Sequence, residues 1–285
     1  MRAGRFALPY VAGLTLLVAV PVAGAIALAF TDFSGVQEPS FVGLDNFERL
    51  FGEGPFWRAA GNTGVFIAIA VPLRMAAAVG LALLLHRRSA ASGAGRGIAY
   101  LPTVVPDVAY ALLWLWLLNP LYGPLAAAAS SLGLTSPGWL TEQWPARIAI
   151  AVMGAFQVGE AFVVALAARR TVPERLYEAA RVEGARPWFT LRNVTLPVMA
   201  PVLALLALRD VVLALQVNFV PAFLVTEGGP AYATTFLPLY VYEAAFRYFR
   251  FGYAAAVSVV MFALTAAILA VQYSIYKRWR ETRWS

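Results

Sequence analysis

RRTVPERLYEAARVEGARPWFTLRNVTLP, residues 169–197, is a polar island between two apolar runs, each long enough to cross a bilayer. It holds six arginines (Arg169, Arg170, Arg175, Arg181, Arg186 and Arg192) and three glutamates (Glu174, Glu178 and Glu183). Pro173 stands where a helix can begin, because proline suits the first helical turn. From there ERLYEAARVEG is expected to form a short helix. Leu176, Ala179, Ala180 and Val182 give it a small apolar side, and Gly184 is its natural stop. A second short helical piece, PWFTLRNV, is expected before Leu196 and Pro197. A mere connection between two spans needs no such definition. One that has it is built to be gripped.

The spacing within the island is specific. Glu178-Ala179-Ala180 is followed after three residues by Gly184, and after nine more by Val194-Thr195-Leu196-Pro197. This resembles the EAA loop of ABC importer permeases, whose pattern is EAA, three residues, Gly, nine residues and Ile-x-Leu-Pro. Val194 stands where isoleucine is usual, and Glu183 where aspartate is common; both exchanges are conservative. The resemblance implies a coupling helix that docks in a cleft of a separate ATPase subunit. Glu178 would pair with a basic residue there, Ala179 and Ala180 would allow close approach, and Gly184 would permit the turn. Glu183, Leu196 and Pro197 complete the coupling element that the resemblance implies.

Composition agrees with a membrane setting. Of 285 residues, 61% are hydrophobic and 13% charged, with a mean hydropathy of +0.70. Soluble domains carry about 25% charged residues. The net charge of +7 might have pointed to nucleic acid, but the basic residues cluster at the ends of apolar runs, as membrane topology requires. No nucleic-acid partner is expected. The absence of cysteine excludes disulfides, a thiolate nucleophile and a cysteine metal site. The single histidine, His86, lies beside Arg87 and Arg88 and reads as an interfacial residue rather than a metal ligand.

About 20 apolar residues cross the hydrocarbon core as a helix. Six segments qualify: 6–30, 63–85, 98–118, 148–168, 198–224 and 253–275. Arg2 and Arg5 precede the first, and Ala23-Gly24-Ala25 resembles a cleavage site. The apolar run is longer than the 7–15 residues or so of a signal-peptide core, so an uncleaved first helix is expected. Orientation follows from lysine and arginine. Arg2, Arg5, Arg87, Arg88, Arg96, the island's six arginines, Lys277, Arg278, Arg280 and Arg283 fall on one side, fifteen of the 22. Arg49, Arg58, Arg147, Arg247 and Arg250 fall on the other, and Arg74 and Arg209 lie within spans. The threefold bias predicts that both termini and the island are cytoplasmic.

The outer loops are rich in Gly, Pro and Trp, and LPLYVYEAAFRYF in the last has helical spacing suited to an interface. They also extend the resemblance. FTDF (30–33), FVGLDNFERL (41–50), FWRAAGNT (56–63), EGGPAYAT (227–234) and FRYFRFGYAAAVSVV (246–260) are similar to signatures of carbohydrate-importer permeases. The likeness covers nearly the whole chain and is greatest to the first permease of the maltose-transporter type. It implies an all-α, polytopic membrane protein of six transmembrane helices with the type I ABC importer permease fold. The expected organisation is a single permease domain over 1–285, with 169–197 as the coupling loop within it.

Energy must come from elsewhere. A P-loop needs a lysine after its glycine-rich turn. Lys277, the only lysine, has no glycine before it, and GAGRG (93–97) lacks the lysine. No cofactor is expected in this chain; ATP would be bound by partner ATPase subunits, and no covalent chemistry is expected here.

Charges inside a bilayer usually face a cavity or a partner. Gln157 and Glu160 are three apart and share a face if their span is one helix, and Met153 and Phe156 extend it. Arg209, Asp210, Gln216 and Asn218 fall in the fifth span, Arg74 in the second and Asp107 in the third. Sugars need hydrogen-bonding groups for hydroxyls and flat apolar surfaces for ring faces. Met153, Phe156, Gln157, Glu160, Asp210 and Ala214 are therefore the candidate solute pathway. The same charges also suit intramembrane pairing, such as Arg209 with Glu160 or Asp107. Pro102, Pro106, Pro197 and Pro201 are expected to interrupt or kink helices.

These readings converge on a transmembrane subunit of a bacterial ABC importer for a sugar-like solute. The expected partners are a second homologous permease, two ATP-binding subunits, an extracytoplasmic solute-binding protein and membrane lipid. Rival readings are a proton-coupled secondary transporter using Glu160, Asp107 or Asp210, and a membrane scaffold or receptor that transports nothing.

Overall fold

The computed structural model describes residues 3–87, 89–216 and 218–284. Arg2 and Arg88, counted in the charge bias, lie outside them, as do the side chains of Arg5, Arg278, Arg280 and Arg283. Helix α1 (Ala3–Leu14) passes through a π turn (Thr15–Ala19) into α2 (Val20–Leu28). Strands β1 (Thr31–Asp32) and β2 (Ser40–Phe41) pair antiparallel, with Thr31 opposite Phe41. Helices α3 (Asp45–Gly52) and α4 (Gly54–Leu84) follow. Helix α5 (Ala90–Val104) meets α6 (Asp107–Leu117) at 99°, and after α7 (Pro124–Ser131), α8 (Gln143–Phe156) meets α9 (Gly159–Arg170) at 51°. Helix α10 (Glu174–Val182) precedes α11 (Pro187–Thr190), a π turn (Leu191–Thr195) and α12 (Leu196–Gln216). The chain ends with α13 (Phe219–Pro221), α14 (Leu237–Tyr242) and α15 (Phe251–Trp284).

Among the described residues, four helical runs are long and apolar enough to cross a membrane, and up to six if each bent pair is one span. The all-α expectation therefore holds, but three local readings change. The third span does not merely kink. Pro106 excludes Val105 from the helical region and holds it extended at φ −69°, ψ 129°, so the helix breaks there. The fourth span breaks too, at Gln157, with no proline to announce it. Pro197 and Pro201, by contrast, interrupt nothing: 187–216 is one helical run of 30 residues that also absorbs the piece PWFTLRNV. The π turn lies directly before Pro197, where the ring needs room against the carbonyl four residues back.

The chain forms two compact units. Residues 1–60 and 237–268 make the first, with Leu50, Phe56, Leu237, Tyr253 and Val257 in its core. Asn46 Nδ2 donates to the carbonyls of Ala29 at 3.0 Å and Thr31 at 2.9 Å, fastening α3 to the strand pair. The Gly252 N–H donates to Phe33 O at 3.1 Å, and a Cβ there would lie 1.9 Å from Thr31 O, so only glycine fits. Helix α14 buries Leu237 in this core, and its Leu239 is buried as well.

Residues 61–236 and 269–285 make the second unit. Here α4, α9 and α12 pack through Ala78, Ala82, Ala161, Ala165, Phe162 and Leu206. The alanines let backbones approach closely, which matters where lipid gives no hydrophobic drive between helices. A smaller cluster of Ala168, Val172 and Met199, flanked by Tyr177 and Val194, joins the ends of α9 and α12 beside α10.

Candidate solute cavity and coupling helix

The break at Gln157 is stabilised by side chains from other helices. The Val158 N–H, which would bond Gly154 in a continuous helix, turns to Phe156 O at 2.8 Å. Arg74 of α4 replaces it, donating from Nε to Gly154 O at 2.9 Å and again from Nη2. One residue earlier, Tyr110 Oη donates to Met153 O at 2.8 Å. Across the break, the Gly159 N–H donates to Thr103 Oγ1 at 2.9 Å, and a Cβ on Gly159 would lie 2.4 Å from that oxygen. An unsatisfied backbone group in hydrocarbon costs several kcal/mol, so such a break is tolerated only where side chains or a wet cavity serve it.

Both breaks border one cavity of about 320 Å³. Thr103 and Asp107 flank the first break and Gly154, Gln157 and Glu160 the second; Arg74, Arg209, Asp210, Ala214 and Asn218 complete its polar wall. The volume is at the small end of small-molecule sites. The charges are paired in part. Arg209 binds Glu160, and both side chains are about half exposed. Asp210 is 1% exposed, with Arg74 Nη1 at 3.6 Å and Arg209 Nη1 at 3.9 Å from its Oδ1. Among the described residues, neither Asp210 oxygen accepts a hydrogen bond and the amide of buried Asn218 has no partner at either end. Buried polar groups are normally hydrogen-bonded. Asp210 and Asn218 are two exceptions among the residues that line this cavity.

Of the six expected pathway residues, Gln157, Glu160, Asp210 and Ala214 line this cavity. Met153 and Phe156 do not. Met153 is fully buried, and Phe156 is 56% exposed, edge-on to Trp114 at 5.8 Å. The shared face of Gln157 and Glu160 presumed one continuous helix; the bend, not helical spacing, brings them to the same cavity. The pairing of Arg209 with Glu160 is present, and Asp107 has no cation within 4.0 Å among the described residues. Thr103 and Tyr110 carried no signal in the sequence. Arg74 and Asn218 did, as polar residues within spans. His86, just past the end of α4, is half-buried, and its Nδ1 bonds the Leu83 carbonyl of that helix at 2.6 Å.

The island forms the expected helix, α10. Pro173 is its N-cap, and the chain leaves through Gly184 at φ +70°. The Gly184 N–H bonds Arg181 O at 3.0 Å and the Ala185 N–H bonds Ala180 O at 2.9 Å, the two bonds of a Schellman motif. Glu178, Ala179, Glu183 and Gly184 are exposed, and Leu196 and Pro197 half-buried. Ala180 is buried against the chain itself, so close approach to a partner falls to Ala179. Tyr177 anchors the helix, its hydroxyl 2.9 Å from Thr195 Oγ1 and its ring under Arg169 at 4.5 Å.

A third element was unmarked as chemistry by the sequence. Asn62 Nδ2 donates to Tyr232 O at 2.7 Å and Thr235 O at 3.1 Å, while Arg147 donates to Ala233 O at 3.1 Å and to Asn62 Oδ1 at 2.9 Å. The loop they hold has positive φ at Glu227, Gly228, Ala231 and Tyr232. This explains why AGNT and EGGPAYAT stand out as signatures: one clamps the other.

Comparison with known proteins adds the following. Residues 70–281 match the family described as binding-protein-dependent transport system inner membrane component. The lactose transport system permease protein LacF of Rhizobium radiobacter is 30% identical over 275 residues, covering 94% of this chain and 91% of that protein. The trehalose/maltose transport system permease protein MalF of Thermococcus litoralis is 29% identical over 273 residues, with the same coverages of 94% and 91%. In three dimensions, a chain of a bacterial ABC transporter that imports the acidic polysaccharide alginate superposes with a TM-score of 0.85. The match is 24% identical and covers 97% of this chain and 95% of that one.

Proposed function

Since this chain belongs to the family of binding-protein-dependent transport system inner membrane components, as a transmembrane subunit of an ABC importer, we propose that it forms half of the translocation pathway for a sugar or related polyhydroxyl solute. It is a multi-pass inner membrane protein. The observation that carries the solute reading is the cavity at the two helix breaks, where buried Asp210 and Asn218 leave hydrogen-bonding atoms unused. A carboxylate beside an amide can accept from and donate to neighbouring hydroxyls, and Gln157 adds a second amide. The names of the lactose and trehalose/maltose relatives support the same class.

The whole chain acts in this reading as one permease domain, with both termini cytoplasmic, as the charge bias supports. It works beside a second homologous permease, two ATP-binding subunits that hold the ATP, and an extracytoplasmic solute-binding protein. Helix α10 is the coupling element. Glu178 is exposed and makes no ion pair or hydrogen bond among the described residues, so its carboxylate is open to a cation of an ATP-binding subunit. Helices α9 and α12 leave α10 in opposite chain directions and both reach the cavity wall, at Glu160 and at Arg209 and Asp210. Displacement of α10 by the motor is thereby delivered to the solute cavity through two packed helices.

The test is reconstitution of the complete complex in proteoliposomes with labelled lactose, maltose and trehalose. Uptake of at least one is expected only when ATP reaches the ATP-binding subunits. Uptake on a proton gradient with those subunits left out overturns the reading in favour of a secondary transporter. ATP hydrolysis with no uptake of any polyhydroxyl solute overturns the solute class.

A further inference from the structure

The cavity wall holds three carboxylates, Asp107, Glu160 and Asp210, and two guanidiniums, Arg74 and Arg209. Both cations are committed. Arg74 spends Nε and Nη2 on the Gly154 carbonyl and sets Nη1 against Asp210. Arg209 spends Nη2 on Glu160 and sets Nη1 near Asp210. Asp107, exposed on the same wall, has no cation within 4.0 Å among the described residues. An anion entering the cavity thus meets three carboxylates against two guanidiniums, each of which already faces a carboxylate of the wall. An uncharged polyhydroxyl carries no charge for this wall to repel, and the wall keeps hydrogen-bonding atoms of Asp210 and Asn218 without a partner among the described residues.

We infer that Glu160 makes this cavity an anion filter: by occupying Arg209, the more exposed of the two guanidiniums, it turns away solutes bearing a carboxylate, phosphate or sulfonate and leaves the pathway to uncharged polyhydroxyl solutes. The inference rests on the cavity being the solute pathway. It goes beyond that reading because it names the charge class of the solute and the residue that sets it. Glu160 and Arg209 stand on α9 and α12, the two helices that flank α10, so the filter lies on elements whose positions the motor controls. The carboxylates outnumber the guanidiniums by one, and an unbalanced charge in a low-dielectric cleft shifts the local concentration of charged solutes. Removing a single charge from the wall is therefore a measurable change.

The chain is free of cysteine, so one introduced thiol reports the cavity. Leu213, half-buried on the cavity wall, is replaced by cysteine in the assembled complex. Its labelling rate is measured with sulfonatoethyl, hydroxyethyl and trimethylammonioethyl methanethiosulfonate, anionic, neutral and cationic in turn, each divided by its rate with a free thiol in solution. The anionic-to-neutral ratio is expected to rise about tenfold in Glu160→Gln, to fall in Arg209→Gln, and to match the parent in the double variant, which removes one charge of each sign. Equal ratios in all four proteins overturn the filter, as does a rise in Arg209→Gln. If Glu160→Gln does not assemble, the order of Arg209→Gln below the parent and the double variant still decides. Failure of the neutral reagent to reach Leu213→Cys at all overturns the pathway reading instead, so the two failures are told apart.

Discussion

Helix α10 and the cavity lie at the two ends of α9, a helix of 12 residues and about 18 Å, yet they are made in opposite ways. Helix α10 is assembled locally. Its start, its stop and its exposed glutamates all come from residues 173–185, and its end is closed by two backbone bonds within five residues. The cavity is assembled at a distance. Arg74 reaches a carbonyl 80 residues away, Tyr110 one 43 away, and Thr103 an N–H 56 away. A surface that meets another subunit can be written in a short motif, because the partner supplies what it lacks. A cavity in a bilayer must satisfy its own backbone, and the donors come from wherever the fold brings them.

The largest effect should therefore follow from the cavity's most connected side chain. Arg74→Met leaves Gly154 O without its donor and leaves buried Asp210 with only Arg209, at 3.9 Å. Removing one partner of a buried pair costs about 3–5 kcal/mol. The thermal midpoint of the purified complex is expected to drop accordingly, and Asp210→Asn in the same chain should restore part of the loss by removing the stranded charge. A wild-type midpoint in Arg74→Met would erase the distinction between the two regions. So would full additivity of the pair, since residues sharing one ion pair are expected to couple.

The same contrast explains what could be read in advance. The bounds of α10 follow from Pro173 and Gly184, and the charge of Arg74 and Asp210 inside apolar runs marked them as partners of something. The break at Val105 was foreshadowed by Pro106. The break at Gln157 has no proline, and Gly159 beside it is a weak signal on its own; the break is held by Arg74, Tyr110 and Thr103, which serve its backbone groups. Met153 and Phe156 left the cavity for the same reason: the helical face they were assigned to ends where the helix does. Pro197 and Pro201 misled in the other direction: a π turn precedes Pro197, and the α-helix runs on through Pro201.

Changes on α10 should act on coupling and leave the fold alone. Glu178→Ala removes an exposed carboxylate with no partner in the chain, so the thermal midpoint of the isolated subunit should stay put. In the proposed coupling role, the variant would leave a cation of the ATP-binding subunit unpaired in a closed interface, at a cost of about 2–5 kcal/mol. Transport and recovery of the ATP-binding subunits on pull-down should both fall by at least about tenfold. Gly184→Leu should act in the same direction but less, through a left-handed residue that costs about 1–2 kcal/mol. A side chain there meets open space, so the penalty is the backbone's alone. Parent-like transport in both variants would remove α10 from the coupling path.

The smallest effect is the sharpest probe of how α10 is laid out. Arg181 Nη2 lies 3.2 Å from Glu174 Oε1, and both side chains are largely exposed. Glu174, Glu178 and Arg181 fall on one stripe of the helix, with Arg181 three residues beyond Glu178 and seven beyond Glu174. Arg181 thus takes the more distant glutamate and leaves the nearer one open. An exposed pair of this kind contributes about 0–1 kcal/mol, so it matters little to stability. Its consequence is for Glu178. In Glu174→Gln, Arg181 loses its partner and turns to the carboxylate one turn away, an attraction of about 0.5 kcal/mol that competes with the ATP-binding subunit. The affinity of the importer's transmembrane half for that subunit should weaken about twofold with the thermal midpoint unchanged. The double variant Glu174→Gln/Arg181→Gln should recover it, because no cation remains to cover Glu178. If Glu174→Gln binds the subunit as tightly as the parent, the Glu174–Arg181 pair is incidental, and the openness of Glu178 owes nothing to its neighbours.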